Sequence, residues 1–346
     1  MRAAVFHEAG RPLSIERVPD PRPAAGEVLI EVARAGICGS DLQVAKLGAA
    51  APGTILGHEF AGRVVELGAG CGAQWKVGDA VTALPIRVCG HCEACDEGAH
   101  ALCPSVVFTG TTLAYSGGYA QYLTAPATML QRLPAGVGFD EGALVEPLAV
   151  AFHAVGRAEL TRGADVLVLG AGPIGGGVAL FARHAGARHV VVSEYFPARR
   201  GRALMLGATA VLDPGAEDVG ARFAAITGHA PKVVFECTGK PGMIQQAVEL
   251  AGLRGRVVVV GLCLQEDRIL PLPGFLKELS ISFAQCYHER DFAAVIDAIA
   301  RGEVKPQPMH TATVGLDELP EVFDSLRGAS PHCKVLIDPA RNVISG

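Results

Sequence analysis

Residues 165–186 read DVLVLGAGPIGGGVALFARHAG. After its aspartate the opening DVLVLG is continuously apolar, as a strand covered on both faces must be. PIGGGVALFARHAG reads as the helix that follows. Gly170, Gly172 and Gly175 stand between and within them in G-x-G-x-x-G, in the strand–turn–helix context that gives the pattern its meaning. Gly170 permits the tight turn, and Gly172 lets the backbone approach a pyrophosphate. Gly175 lets helix and strand pack closely, and the helix start, with Pro173 and Ile174, turns its positive dipole toward phosphates. A glycine-rich turn without a ligand is the plainer reading, and the flanking strand and helix count against it.

Outward from this turn the pattern repeats. HVVVSE, TAVLD, KVVFECTG, RVVVVGL and LSISFAQ read as further strands, separated by helical stretches such as PARRGRALMLGA and GMIQQAVELAG. Strands alternating with helices of this length predict right-handed βαβ units. Six strands predict a full doubly wound α/β sheet that binds a dinucleotide. The second strand ends at Glu194, 19 residues after Gly175. A carboxylate there accepts from ribose hydroxyls and repels a 2′-phosphate, so NAD is favoured over NADP. Arg199 and Arg200 complicate this, because they could hold that phosphate if Glu194 pointed away. Cys237, Thr238, Val260 and Leu262 follow the fourth and fifth strands and are expected to edge the cofactor.

Residues 88–103, VCGHCEACDEGAHALC, place Cys89, Cys92, Cys95 and Cys103 in C-x2-C-x2-C-x7-C. In a reducing compartment such a cluster binds metal more often than it forms disulfides. Four thiolates close a tetrahedral zinc shell with no open position, which suits a structural clip. An iron–sulfur cluster is the minor alternative.

The bulk composition narrows the function. The chain has 346 residues, half of them hydrophobic and 19% charged, with a net charge of −5. That length allows two domains. No Lys/Arg block marks a nucleic-acid or anionic-membrane partner. The longest apolar run, 257–264, is too short for a membrane span. MRAAVFHEAG lacks the apolar core of a signal peptide, so a cytoplasmic location is expected.

Other metal-competent residues are spread through the chain: Cys38 in AGICGSD, His58 and Glu59 in ILGHEFAG, and Glu146 in LVEPLAVAFHAV. A mixed set with at most one thiolate suits a catalytic zinc that keeps a position for substrate. Taken singly, each of these residues reads as structural. In order, however, GHE, the four-cysteine loop, EPLAV and GAGPIG resemble the zinc-dependent medium-chain dehydrogenase/reductase family, and within it the sorbitol, butanediol and threonine dehydrogenase branch.

The resemblance covers essentially the whole chain. It implies a GroES-like β-barrel catalytic domain, over 1–148 and 286–346, carrying two zincs, one catalytic and one structural. It implies a Rossmann domain over 149–285 and an active site in the cleft between the two. By position, Cys38 and His58 match catalytic zinc ligands. Glu59 and Glu146 match carboxylates that bind the metal directly or through water. Asp41 matches the carboxylate that orients the zinc histidine, Ser40 the hydroxyl of the proton relay, and Arg199 an arginine along the adenosine. Relatives also form homodimers or homotetramers through the last Rossmann strand, here LSISFAQ.

One departure stands out. Many relatives carry a histidine five residues after the zinc cysteine, and here that position is Gln43, which cannot titrate near neutral pH. The neighbouring AKLGAAAPG is also poor in groups that read hydroxyls. The implied activity is interconversion of a secondary alcohol and its ketone with NAD. A polyol or vicinal diol is the alternative substrate, and an NADP-linked reductase of the same fold is the less favoured one. A zinc-ribbon binding module and a retired, non-catalytic relative are the rival readings from other classes.

Overall fold

The computed structural model describes residues 1–328 and 330–341. These divide into two compact units, each with its own core. Met1–Glu146, His288–Ala300 and the chain from His310 onward form the first, and Pro147–Tyr287 with Arg301–Met309 the second. The boundaries lie within two residues of those expected, but Arg301–Met309 groups with the second unit. The short helical turn Gln307–Met309 in that segment packs on the helix Pro197–Met205. The end of the range expected for the catalytic domain, 342–346, and position 329 lie outside the described residues.

The second unit carries a six-stranded, all-parallel sheet. Its spatial order is Ala210–Leu212, His189–Ser193, Asp165–Leu169, Val233–Glu236, Arg256–Val259, Ser280–Phe283. Taken as strands one to six, that order is 3-2-1-4-5-6, the doubly wound arrangement. Val166, Leu167, Val168 and Leu169 are buried, as are Val190, Val191 and Val192 beside them. The helix Pro173–His184 begins with proline at its first turn, where the missing N–H costs no helical bond. It buries Val178, Ala179, Phe181 and Ala182. Helix Val219–Thr227 was not read from the sequence. It is short, begins where Asp218 accepts from the N–H of Ala221 at 2.8 Å, and stops at Gly228 with φ 87°.

Among the described residues the sixth strand, Ser280–Phe283, pairs on one side only. Ile281 and Phe283 are exposed there, as are Leu272, Phe275 and Leu276 on and beside the preceding short helix Pro271–Leu276.

The first unit is built on a seven-stranded sheet. Its central strand Glu27–Gly36 pairs antiparallel with Glu59–Leu67 and with Lys334–Asp338, and also with Tyr122–Pro126. The C-terminal strand Lys334–Asp338 runs parallel to His310–Gly315, a strand the sequence reading had passed over. The return of the chain's end places Lys334 beside residues near 36 and 59. Gly36 lies opposite Glu59, where a Cβ would stand 2.1 Å from Glu59 Oε2. No side chain fits there, so the glycine makes room for the carboxylate.

Candidate active site and cofactor turn

Cys38 caps the helix Gly39–Leu47. Asp41, at the third position of that helix, reaches back to the Cys38 N–H at 3.3 Å and so closes the first turn. The same carboxylate contacts His58 Nδ1 at 3.2 Å and accepts the Tyr119 hydroxyl at 2.6 Å. With Nδ1 engaged by Asp41, Nε2 is the ring nitrogen left for a metal. Glu59, the next residue, is fully buried. The donor atoms of Cys38, His58 and Glu59 all lie within 4.8 Å of one another.

Glu59 is divided in its contacts. Oε1 accepts from Lys334 Nζ at 2.6 Å, and the same ammonium donates to the Ile37 carbonyl at 3.0 Å. Oε2 is buried without a hydrogen-bond partner. A buried, unpaired carboxylate oxygen is costly unless something cationic meets it. Beside one thiol and one imidazole, this is the donor set of an open zinc site, so the residues fit a zinc ion.

The charges of the site are set by burial and by its neighbours. Burial alone would depress His58, but the charges of Asp41 and Cys38 outweigh it and hold the imidazole well above its ordinary value. Burial alone would raise Asp41, but His58, the Tyr119 hydroxyl and the Cys38 N–H keep it below the usual carboxylate range. Burial and the Asp41 charge together push the Tyr119 phenol well up, so it stays a donor. Burial would lower Lys334, but Glu59 and Cys38 outweigh it and keep it an ammonium.

Ser40 Oγ lies 3.3 Å from Cys38 Sγ, at the edge of this set. Gln43 is exposed on the same helix. Glu146, on helix Phe139–Arg157, is buried, but it is not among the residues whose donor atoms come together around Cys38. Of the two carboxylates expected near the metal, the structure brings Glu59 in.

In the cysteine loop, Cys92 caps the short helix Glu93–Asp96. Neighbouring sulfurs stand at 3.5 Å (Cys92–Cys95), 3.6 Å (Cys89–Cys103) and 3.9 Å (Cys89–Cys95). All four lie within 4.8 Å of one another, and none is in a disulfide. Zinc–sulfur bonds of about 2.3 Å in a tetrahedron require sulfur–sulfur edges of about 3.8 Å, so this set also fits zinc. Backbone N–H groups reach Cys103 Sγ from Cys89 at 3.5 Å and Ser105 at 3.4 Å. The first of these does most to lower the Cys103 thiol to about 7.

In the second unit, Gly170 has φ 91° and donates to the Ser193 carbonyl at 2.8 Å. A Cβ on Gly175 would stand 1.9 Å from the Gly170 carbonyl oxygen, which is why helix and turn need a glycine there. At Gly172, the helix cap before Pro173 and Ile174, a Cβ would meet nothing within 4 Å, so the space a pyrophosphate needs is open.

Glu194 is buried at the end of the second strand. It accepts from the N–H groups of Ala171 at 2.9 Å and Phe196 at 3.0 Å, which fixes its carboxylate against the turn. Arg199 Nη1 lies 4.0 Å from Glu194, with its guanidinium over the Phe196 ring. Arg200 instead pairs with Asp213 at 3.0 Å and donates to the carbonyls of Glu194 and Tyr195.

Cys237 donates its N–H to the Leu169 carbonyl, and Val260 to the Glu236 carbonyl, so the ends of three strands are tied together. Glu236 Oε1 takes both the backbone N–H of Thr238, at 2.6 Å, and its hydroxyl. Thr238 Cγ2 would stand 2.8 Å from a Cβ on Gly170. Leu262 is exposed.

Three residues of these sites escaped the sequence reading: Lys334, Tyr119 and Glu236. A lysine opening the apolar run KVLID was the one available sign, since a buried lysine needs an acidic partner.

Residues 24–135 match the alcohol dehydrogenase GroES-like domain, and residues 173–301 match the zinc-binding dehydrogenase family. A 2-dehydro-3-deoxy-L-galactonate 5-dehydrogenase from Pseudoalteromonas atlantica is 36% identical over 91% of this chain and 92% of its own. A sorbitol dehydrogenase from Bacillus subtilis is 32% identical over 99% of this chain and 98% of its own. Among solved structures, a zinc-binding dehydrogenase from Sinorhizobium meliloti bound to NADP is similar with a TM-score of 0.89. It is 31% identical, and the match covers 98% of this chain and 99% of that one.

Proposed function

This chain belongs to the zinc-dependent medium-chain dehydrogenase/reductase family, in the sorbitol dehydrogenase-like branch, and from that premise we propose that it interconverts a secondary alcohol and its ketone with NAD. The coarser statement is plain: the fold is a GroES-like β domain with a Rossmann domain, and the chain is an oxidoreductase of CH–OH donors. The observation that carries the finer reading is the Cys38, His58 and Glu59 set, with its one unpartnered buried carboxylate oxygen.

When bound, zinc would supply a Lewis acid that lowers the pKa of a substrate hydroxyl, and the nicotinamide would accept the hydride. The residues set how well this works. Lys334 offsets the charge of Glu59, so the protein ligands carry little net negative charge. Such a set would leave a bound zinc electropositive. Asp41, held by Tyr119, fixes the tautomer and angle of His58. Ser40 takes the substrate proton. Gln43, with no group that titrates near neutral pH, cannot carry it further. The Cys89, Cys92, Cys95 and Cys103 set would hold the second, structural zinc.

Two observations support NAD over NADP. Glu194 is pinned at the strand end where a 2′-phosphate would lie, and Arg200 is already engaged by Asp213 and two carbonyls. A polyol or vicinal diol is the second reading, favoured by the sugar-derived substrates in the names of the relatives. The one-sided strand Ser280–Phe283, with its exposed Ile281 and Phe283 and the exposed Phe275 of the preceding helix, supports a homodimer or homotetramer formed at that edge. Among the described residues no helix is long and apolar enough to cross a membrane, and a cytoplasmic enzyme remains the reading.

The test is metal content per chain, together with reduction of NAD and NADP on a panel of secondary alcohols, polyols and cyclic alcohols. Two zincs and an NAD-linked rate on a panel member support the proposal. One zinc and no turnover would remove the catalytic role from Cys38, His58 and Glu59.

A further inference from the structure

The glycine turn lies at the C-terminal end of strand Asp165–Leu169. At its other end, on the order of 13 Å away for five residues, the same unit holds a cavity of about 340 Å³. Asp165 stands in it with its side chain almost wholly buried. Arg188 meets this carboxylate through Nε at 3.0 Å and again through Nη2, His189 meets it at 2.9 Å, and His229 at 3.1 Å. Lys232, Arg254 and Arg256 complete a cationic lining. Four permanent cations thus meet three carboxylates, Asp165 and Glu159 in the cavity and Glu278 at its rim, an excess of one positive charge in a protein whose overall charge is negative. A concave, locally positive wall on an acidic protein concentrates anions.

These cations keep donors in reserve. Lys232 gives one of its ammonium protons to the Leu253 carbonyl at 2.6 Å, and an ammonium has three. Arg254 meets Glu278 through Nε at 2.7 Å, which leaves the fork of its guanidinium. Arg256 spends Nη1 on the Ala158 carbonyl and Nη2 on Glu159. It closes the floor, while Lys232 and Arg254, both exposed, form the open rim.

The backbone adds an independent observation. Among the described residues, four non-glycine residues have left-handed φ: Glu159 (48°), Arg254 (52°), Glu278 (50°) and Cys286 (49°). Two of them line this cavity, and the third pairs with Arg254 across its rim. Strain held in residues with charged side chains gathers at sites where those side chains are used.

We propose that this cavity is a binding site for a compact dianion of the phosphate or carboxylate type, separate from the cofactor turn and the zinc sites. The anion sits between the Lys232 ammonium and the Arg254 guanidinium, over the floor made by Arg188 and Arg256. Charge-assisted and bidentate hydrogen bonds from such groups select phosphate and carboxylate over halide.

The test is calorimetric titration of inorganic phosphate, and separately of malonate, into the full, zinc-replete chain saturated with NAD, at constant ionic strength held with chloride. Saturating NAD keeps the pyrophosphate position occupied. Saturable binding of at least one anion is expected, at about 1 mM or tighter. The K232Q/R254Q double variant should weaken it by about tenfold or more. Arg222→Gln, whose guanidinium pairs with Glu217 elsewhere on the unit, should leave it unchanged. Both rim residues are exposed, so the double variant should fold, and its circular dichroism checks that. Binding of phosphate alone names a phosphate ester as the ligand, and binding of malonate alone names a dicarboxylate. Absence of binding by both anions, or equal affinity in the double variant, overturns the proposal.

Discussion

Lys334 Nζ and Glu59 Oε1 meet at 2.6 Å across 275 positions of sequence, and both side chains are shut off from solvent. The ammonium takes one oxygen of the carboxylate and leaves the other, Oε2, buried without a hydrogen-bond partner, in a residue gathered with Cys38 and His58. The pair therefore does two things at once. It makes a buried carboxylate tolerable, and it leaves that carboxylate one coordinating atom.

Removing the cation should expose how much depends on it. In Lys334→Met the methylene stem is kept and the charge is lost, so Glu59 remains buried without its partner. Breaking one side of a buried pair costs about 3–5 kcal/mol. The unfolding free energy of the metal-free protein, measured by denaturant titration, should fall by that amount. A variant as stable as the parent would show that Glu59 takes up a proton at little cost.

The two candidate carboxylates can be separated by isosteric change. Glu59→Gln keeps the shape and removes the anionic oxygen from the ligand set. It should lower zinc occupancy at the Cys38 site and reduce kcat with it. Glu146→Gln lies outside the gathered donors and should leave occupancy at that site near the parent's. Metal analysis after dialysis against a graded chelator distinguishes the two. Equal losses would place both carboxylates on the metal.

Tyr119→Phe deletes one hydroxyl and nothing else. Its bond to the ionised Asp41 is buried, and hydrogen bonds to charged groups contribute about 1.5–3 kcal/mol. With its brace gone, Asp41 holds His58 less firmly. Loss of such outer partners commonly costs about 10–100-fold in metal affinity or activity. A variant with unchanged stability and unchanged chelator resistance would reduce Tyr119 to packing.

These outcomes also explain what the sequence could and could not reveal. The glycine turn and the four cysteines are local patterns, and their chemistry follows from spacing within about twenty residues. Cys38, His58 and Glu59 became legible as a set only through resemblance, since nothing local says that residues 38 and 59 share a site. Tyr119 and Lys334 were not legible because their partners lie 78 and 275 positions away. Strand register decides those meetings: Gly36 lies opposite both Glu59 and Leu336, so the end of the chain delivers Lys334 to the metal set. The strand His310–Gly315 escaped notice because HTATVG is short and weakly apolar, and it is a strand by virtue of the neighbour it pairs with.

Asp165 offers a pH test within the second unit. Burial alone would raise its carboxyl, but Arg188 and then His189 outweigh that and bring it down to about 2, from an ordinary 3.8. A depressed carboxyl stabilises the fold fully above its unfolded value and loses that contribution as pH falls toward its folded value. The stability difference between the parent and Asp165→Asn should therefore shrink as pH falls from about 4 to about 2. Urea midpoints of both proteins at several pH values measure it. A difference that stays constant through that range would mean the carboxylate is not held by its neighbours.

The choice of cofactor turns on Glu194. Its carboxylate is fixed by the N–H groups of Ala171 and Phe196, and it faces Arg199 at 4.0 Å. An NADP phosphate arriving there would meet one anion and gain no free arginine from Arg200, which Asp213 engages. Glu194→Gln keeps the size of the side chain and removes the repulsion, so the ratio of kcat/KM for NAD over NADP should fall by about tenfold, equivalent to about 1.4 kcal/mol. Adding Asp213→Asn removes the carboxylate partner of Arg200 and should lower the ratio further, because the guanidinium, still held by the Glu194 and Tyr195 carbonyls, then has its charge available to the phosphate. The order of the two effects matters. If Asp213→Asn alone shifted the ratio and Glu194→Gln did not, discrimination would rest on the arginine and not on the carboxylate, and the preference for NAD would have to be argued again from Arg200.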